Sequence, residues 1–289
     1  MGKVLITGSS GFLSQHIIGT FQRKGYFVIG VDKRPERYQS NYYIQADVRD
    51  LTYRDLMGVD YVVHLAWRTN IPDCSHHPIE STYNNIDTTI HLLEVCREAK
   101  VKKVFFPSTA SLYGNNPTPW KEDMVAQPIE HYSWQKLACE GACKMYSRAL
   151  GLPTVIARFF QIFGEYQRED TALAAFLKNK AEGKPVTLTE TMAQSSFRSG
   201  QRDFIYAGDV AEAVYILTTG DTPSGEIYNV ASGKFTTMEQ VAGALGVEVE
   251  WIQRRPWEVE RHLGDISKLD DLGWRQTVEV LEWLKRPGI

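Results

Sequence analysis

Near its N-terminus the chain runs from a short apolar strand, Val4–Ile6, into Thr7-Gly8-Ser9-Ser10-Gly11-Phe12-Leu13 and then into a helical pattern. Two glycines between a strand and a helix constrain the fold more than any other stretch. A turn this tight needs residues without a Cβ. The helix that follows turns unpaired N–H groups and positive potential toward whatever lies beyond. Phe27–Val31, Tyr61–Leu65, Val104–Phe106 and Thr154–Phe159 read as further short buried strands, with helices near Phe12–Lys24, Ser81–Lys100 and Glu130–Leu150. Such alternation predicts an α/β fold, a doubly wound parallel Rossmann sheet with helices on both faces. Right-handed crossovers then gather the carboxyl ends of the strands along one edge, where ligands bind.

After about Phe160 the alternation weakens. Residues 164–201 are polar and irregular around one helical segment, Thr171–Ala181. Asp209–Thr218 reads as a helix and Glu226–Val230 as a strand, both returning to the sheet. The expected organisation is a dinucleotide-binding domain over 1–163, rejoined by 202–231, with 164–201 and 232–289 forming a small C-terminal substrate-binding lobe. That lobe would hold short helices near Met238–Leu245 and Thr277–Leu284, and the cleft beside it is the expected substrate site. Nearly balanced charge (−3 over 289 residues) and the lack of a Lys/Arg block argue against nucleic acid or a membrane surface as partner. No apolar run approaches bilayer length, and the first residues enter a strand rather than a signal peptide. Cys74, Cys96, Cys139 and Cys143 lack metal-ligand spacing and read as reduced packing residues of a cytoplasmic protein; no metal is expected.

The glycine turn predicts pyrophosphate binding, with Gly8 for the tight turn, Gly11 for close approach, and Ser10, Phe12 and Leu13 around them. The third glycine of the dinucleotide pattern is absent, since position 14 is Ser. Asp32 ends the second strand about twenty residues on, where a carboxylate would bind the adenosine ribose and repel a 2′-phosphate. Lys33 and Arg34 follow and could attract that phosphate, so the expected cofactor is NAD with NADP as the alternative. Asp47 and Val48 could reach the adenine, while Leu65, Ala66 and Trp67 fall along the pyrophosphate and nicotinamide ribose. Ser108 and Thr109 place hydroxyls just past the fifth strand; the plain alternative makes them loop caps. In His131-Tyr132-Ser133-Trp134-Gln135-Lys136, Tyr132 and Lys136 share one helix face. An ammonium there favours the ionised phenol, so Tyr132 could move a proton while Lys136 holds a ribose and Thr109 binds a substrate oxygen.

With these motifs the chain resembles the extended short-chain dehydrogenase/reductase family, in its NAD-dependent nucleotide-sugar epimerase/dehydratase branch. The resemblance also rests on Asn84-Asn85-Ile86-Asp87, Arg158–Gly164, Arg202-Asp203-Phe204-Ile205, Tyr228-Asn229-Val230 and Arg254-Arg255-Pro256. It implies that Thr109, Tyr132 and Lys136 are the catalytic set. Phe12, Leu13, Asp32, Asp47, Val48, Asn85 and Phe160 would contact NAD, and Arg202 and Arg255 would grip a nucleotide diphosphate. Gln161 stands where an Asn usually meets the sugar, Gln135 where a Ser or Thr precedes the Lys, and Trp257-Glu258 where Gly-Asp is usual. Relatives that remove water carry Asp-Glu directly after the catalytic Thr; here those positions are Ala110 and Ser111. The resemblance therefore implies an NAD-dependent epimerase acting at carbon 4 of a UDP-hexose. An NAD(P)-dependent ketoreductase or dehydrogenase is the alternative, and a dinucleotide-sensing binding protein the more distant one. Relatives often form homodimers through two helices of each subunit, with Leu92, Leu93 and Met145 as candidate contacts.

Overall fold

The computed structural model of the protein describes residues 1–191, 195, 197–253 and 259–289. Its strands are β1 (Lys3–Thr7), β2 (Phe27–Asp32), β3 (Tyr42–Gln45), β4 (Tyr61–His64), β5 (Lys103–Thr109), β6 (Thr154–Phe159), β7 (Gln161–Phe163), β8 (Val186–Thr189), β9 (Gln201–Arg202), β10 (Phe204–Tyr206), β11 (Glu226–Val230), β12 (Thr236–Thr237) and β13 (Val249–Ile252). Its helices are α1 (Phe12–Arg23), α2 (Ile71–His76), α3 (Pro78–Thr82), α4 (Thr88–Glu98), α5 (His131–Ala149), α6 (Ala172–Ala181), α7 (Ala207–Thr219), α8 (Met238–Leu245), α9 (Ser267–Asp270) and α10 (Val280–Trp283). Two compact units result. One comprises Met1–Gly114, Val125–Phe159 and Ala211–Tyr228; the other comprises Asn115–Met124, Phe160–Val210 and Asn229–Ile289.

Seven strands form the central sheet in the order β11-β6-β5-β4-β1-β2-β3. From β3 through β6 every pairing is parallel, as the alternation required. All seven residues of β5 are buried and four of the five in β1 are too, because helices cover both faces. The chain leaves β1 for β2 and β3 on one side, then returns to β4, β5 and β6 on the other. The order therefore reverses between β1 and β4, the position where open α/β sheets bind ligands.

Strand lengths matter at that edge. β5 follows β6 as far as Thr109, but its pairing with β4 stops at Phe105. The Val104 amide donates toward the β6 side, to Pro153, so alternation turns Pro107 toward the side that β4 has vacated. Proline loses nothing there, having no amide hydrogen to leave unpaired. Ser108 and Thr109 are thus the last strand residues, not the loop residues that the sequence suggested.

Between α3 and α4 lies a π turn, Tyr83–Asp87, which makes one discontinuous helical run of Pro78–Glu98 where an unbroken helix was expected. Leu92 and Leu93 sit in the core under the sheet with Leu5, Val62, Val104 and Cys96, so neither is a surface contact; Met145 is exposed. The expected helix at Thr277–Leu284 is only the single turn α10. In the second unit a separate core gathers Phe163, Phe176, Leu188, Val241 and Trp283. Strands β8 and β13, not foreseen, pair in parallel, burying alternate residues of the Val-Thr-Leu-Thr run. The Asp203 carboxylate ties three stretches of that unit, accepting from the amides of Ser232, Gly233 and Gly264 at 2.6–3.1 Å and from the Ser232 hydroxyl at 2.7 Å.

Lys103, buried at the start of β5, donates to the carbonyls of Gly220 (2.6 Å) and Leu217 (3.5 Å) and to the Thr222 hydroxyl (2.9 Å). A cation at the carboxyl end of α7 satisfies carbonyls that the helix cannot. Replacing Lys103 with Met keeps the aliphatic stem and removes its charged hydrogen bonds, leaving the Gly220 and Leu217 carbonyls only the Thr222 amide and hydroxyl as further donors, which should cost about 1–3 kcal/mol. Urea unfolding of Lys103→Met checks this, and an unchanged midpoint and slope would remove the tether from the account.

Candidate active site

Gly8 has φ +67°, and a Cβ on it would lie 2.6 Å from the Ala66 amide nitrogen. Only glycine lets the turn pack this tightly against the end of β4. The Gly8 carbonyl accepts from the Gly11 amide (2.9 Å) and from the Ser14 hydroxyl (2.7 Å). Ser14, where the third glycine was expected, therefore pins the first helical turn to the glycine turn. Gly11 starts α1 without a side-chain cap, and no acid lies in the first turn, where Phe12 and Leu13 are half-buried. Among the described residues the buried Ser9 hydroxyl beside it has no partner. This cradle of amides fits an anionic pyrophosphate.

At the end of β2, Asp32 accepts from the Ser10 amide (3.0 Å) and from the Arg34 amide, Nε and Nη2 at 3.0–3.1 Å. Burial raises its pKa less than these donors together lower it, so the carboxylate stays ionised. Lys33 pairs with Asp47 at 2.8 Å, and Arg49 grips the same carboxylate at 2.7 Å, which holds Asp47 well below the usual range. The two cations that could have drawn a 2′-phosphate are thus each matched to a carboxylate. Val48 buries its side chain in the core, which leaves only its backbone for an adenine.

Beyond β4, a chain of hydrogen bonds that sequence reasoning missed runs through the fully buried His64. Thr89 donates to the Asn85 carbonyl (2.7 Å), so it must accept from Nε2 of His64 (3.1 Å). That leaves Nδ1 to accept from the Thr7 hydroxyl (2.8 Å), whose oxygen accepts from the Ala66 amide (3.2 Å). Burial, with the Lys136 charge, pushes His64 down to about 3, so it stays neutral. Asn85 commits its side chain to protein, with Oδ1 accepting from the Arg68 amide (2.8 Å) and Nδ2 donating to Gln135 (2.8 Å). Gln135 in turn donates to the Ser81 and Thr82 hydroxyls, which explains a long amide where Ser or Thr was expected.

Glu130 caps α5, accepting from the amides of Tyr132 (2.7 Å) and Ser133 (3.0 Å), so the turn bearing Tyr132 is fixed. One turn on, Nζ of Lys136 donates to the Pro107 carbonyl at 2.6 Å. The same nitrogen lies 3.6 Å from the centre of the Trp67 ring, 4.8 Å from that of Phe106 and 6.0 Å from that of Tyr132. Burial pushes its pKa down to about 7. The Thr109 hydroxyl accepts from the Ser111 amide and donates to the Ser111 hydroxyl, both at 3.2 Å, so it caps the short turn after β5. Beneath this edge Ser108 donates to Glu140 (2.6 Å), which also takes a two-pronged ion pair from Arg158 (2.9 and 3.0 Å). Both charges are almost wholly buried, and the fork geometry with Ser108 offsets their desolvation. Glu140 follows Lys136 by four residues, a spacing that could have revealed it.

The remaining candidates belong to the second unit. Phe160 is buried against Trp120, and Gln161 pairs through its backbone with Asp203 while its side chain stays half-buried. Arg202 has Nη1 fixed by the carbonyls of Gln201 (2.9 Å) and Glu260 (3.1 Å). Arg255, with Trp257 and Glu258, lies outside the described residues. Among those described, no group of three or more His, Cys, Asp or Glu is placed to hold a metal, and no helix is long and apolar enough to cross a membrane.

Comparison with known proteins agrees with this geometry. A putative UDP-glucose 4-epimerase of Methanocaldococcus jannaschii is 28% identical over 98% of this chain and 96% of its own length. The mouse dTDP-D-glucose 4,6-dehydratase is 26% identical, over 98% of this chain and 87% of that protein. The crystal structure of the Thermus thermophilus UDP-glucose 4-epimerase in complex with NAD superposes with a TM-score of 0.84 at 28% identity, covering 98% and 96% of the two chains. Residues 4–231 match the model of the NAD dependent epimerase/dehydratase family. With an uncapped glycine turn at the switch of the sheet, an ionised carboxylate at the end of β2 and Tyr132 one turn before a buried Lys136, the chain belongs to that family, and its cofactor is NAD.

Proposed function

We propose that the protein is a nucleotide-sugar 4-epimerase, with a UDP-hexose as its favoured substrate. The observation that carries this reading is the turn after Thr109. Ala110 is buried there, and Ser111 bonds back to Thr109, so neither position offers the acid and base that dehydration at carbons 5 and 6 demands. An exchange at carbon 4 needs less: one group that takes and returns a proton, and a hydride partner. NAD held by the glycine turn and Asp32 would supply reversible hydride chemistry at carbon 4. Tyr132 takes the 4-hydroxyl proton as phenolate and later returns it, while Lys136 favours the phenolate and directs its remaining N–H groups to the nicotinamide ribose. Thr109 holds the 4-oxygen. In this reading the turn from Gly8 to Leu13, with Ser10 and Gly11, binds the pyrophosphate and Asp32 the adenosine ribose. Leu65, Ala66 and Trp67 line the far end, and Asn85 works indirectly by fixing the loop at Arg68. Arg202 and Arg255 hold the substrate diphosphate, and Gln161 reads the sugar.

Exposed apolar side chains on the helical run and α5, among them Ile79, Tyr83, Ile90, Trp134 and Met145, support a homodimer through these helices. Trp134 and Met145 are eleven residues apart, three turns, and so share one face. Tyr83→Glu with Met145→Glu should convert the dimer to a monomer in sedimentation, and a native protein that is already monomeric would end this part of the reading.

Purified protein incubated with UDP-, GDP- and dTDP-hexoses and followed by NMR should give the carbon-4 epimer with no net formation of NADH. A 4-keto-6-deoxy product, or stoichiometric NADH, would replace epimerisation with dehydration or oxidation. Tyr132→Phe should lower turnover by about two or more orders of magnitude while NAD still binds. Unchanged turnover would take the proton away from Tyr132.

The buried lysine also makes a pH prediction. Its folded-state pKa of about 7 lies below the free value of 10.5, so the folded state binds fewer protons between those limits and gains stability as pH rises through them. Without added dinucleotide, Lys136→Met should melt above the native protein at pH 6, with the gap closing by pH 10. Parallel melting curves would contradict the burial of the charge.

A further inference from the structure

We propose that Trp67 is a positioning residue for Lys136, its indole face holding the ammonium against the Pro107 carbonyl and keeping it charged where burial alone would strip its proton. The proposal deepens the reading above, in which a charged Lys136 supports the Tyr132 phenolate.

A fully buried ammonium normally demands an ionised partner. Among the described residues, the groups that face Lys136 from the neighbouring elements do not supply one. On its own helix Glu140 is spent on Arg158 and Ser108, and burial pushes the Cys139 and Cys143 thiols up, so both are neutral. Cys74 on α2 is raised by burial as well, and His64 on β4 is a neutral imidazole. Tyr132 presents its ring at 6.0 Å. Among the described residues, the acceptor within hydrogen-bond distance is a neutral carbonyl, Pro107.

What surrounds the nitrogen instead is aromatic. Trp67 is the nearest ring, at 3.6 Å, and it is held by an edge contact to Phe106 at 5.7 Å between centroids. The negative face of an indole attracts a cation more strongly than any other side-chain ring, and most strongly where water is excluded. A second observation points the same way. The indole N–H of Trp67 is buried without a hydrogen-bond partner among the described residues. A phenyl ring would fill that space without stranding a donor. The orientation that serves the ammonium is therefore kept at the expense of the indole's own hydrogen bond.

The test is the titration of Lys136 itself, followed by NMR of ¹³C-lysine-labelled protein without substrate, with Lys136→Met to assign the resonance. Trp67→Leu should move the Lys136 midpoint down by roughly one pH unit. Trp67→Phe, which keeps an aromatic face and the packing, should move it down by less. In the same order the alkaline limb of kcat/KM should shift to lower pH. A midpoint unmoved in both variants, or raised in Trp67→Leu as water enters, would overturn the proposal. A midpoint that shifts as expected in a protein that turns over no nucleotide sugar would leave the Trp67 assignment standing and sink the epimerase reading instead.

Discussion

The Lys136 nitrogen has a hydrogen-bond acceptor in Pro107 because β4 stops short of β5. Had the two strands been matched in length, the edge of Phe106–Thr109 would be zipped to a neighbour, and Pro107 would interrupt a ladder. Instead the strand projects past its neighbour, and its carbonyl anchors a charge from α5. Around that single contact the other features fall into order. Trp67 enters from the loop that β4 vacates, Gly8 closes against Ala66 in the same space, and Glu140 with Arg158 braces the projecting strand from below.

Two rows of buried polar contacts meet at this edge. His64 relays from the glycine turn to Asn85, and Asn85 relays to Gln135, the residue before Lys136. Thr89 spends its proton on the Asn85 carbonyl, so the tautomer of His64 is dictated by its neighbours. Such rows tolerate little: removing one member leaves a buried partner unsatisfied, a loss larger than the bond itself contributed. The glycine turn and the helix bearing Tyr132 are in this way joined through buried hydrogen bonds.

Much of this was legible in the sequence, because it depends on local chemistry. A glycine turn after an apolar strand, an acid at the end of the next one, and Tyr and Lys one turn apart each declare themselves by spacing. The alternation of strands and helices likewise dictated a parallel sheet. What could not be read were contacts between residues far apart in the chain whose side chains look ordinary alone. Glu140 and Arg158 stand 18 residues apart, and nothing local pairs them until β6 is placed against α5. Leu92 and Leu93 fit either a core or an interface, and only packing under the sheet decides between them. Strands of two to four residues such as β8 and β13 carry too short a period to detect, and their partners lie about sixty residues away in sequence. Gln135 looked like a departure from pattern, yet its extra reach is what meets Asn85, Ser81 and Thr82.

The tether from Lys103 to Leu217, Gly220 and Thr222 joins segments separated by more than a hundred positions, and the strand that completes the sheet beside β6 follows directly after. During synthesis β6 emerges long before β11, so its outer backbone groups wait unpaired on a nascent chain. Closure of the sheet is in that sense a late event, and an exposed edge of this kind is what holding chaperones shield.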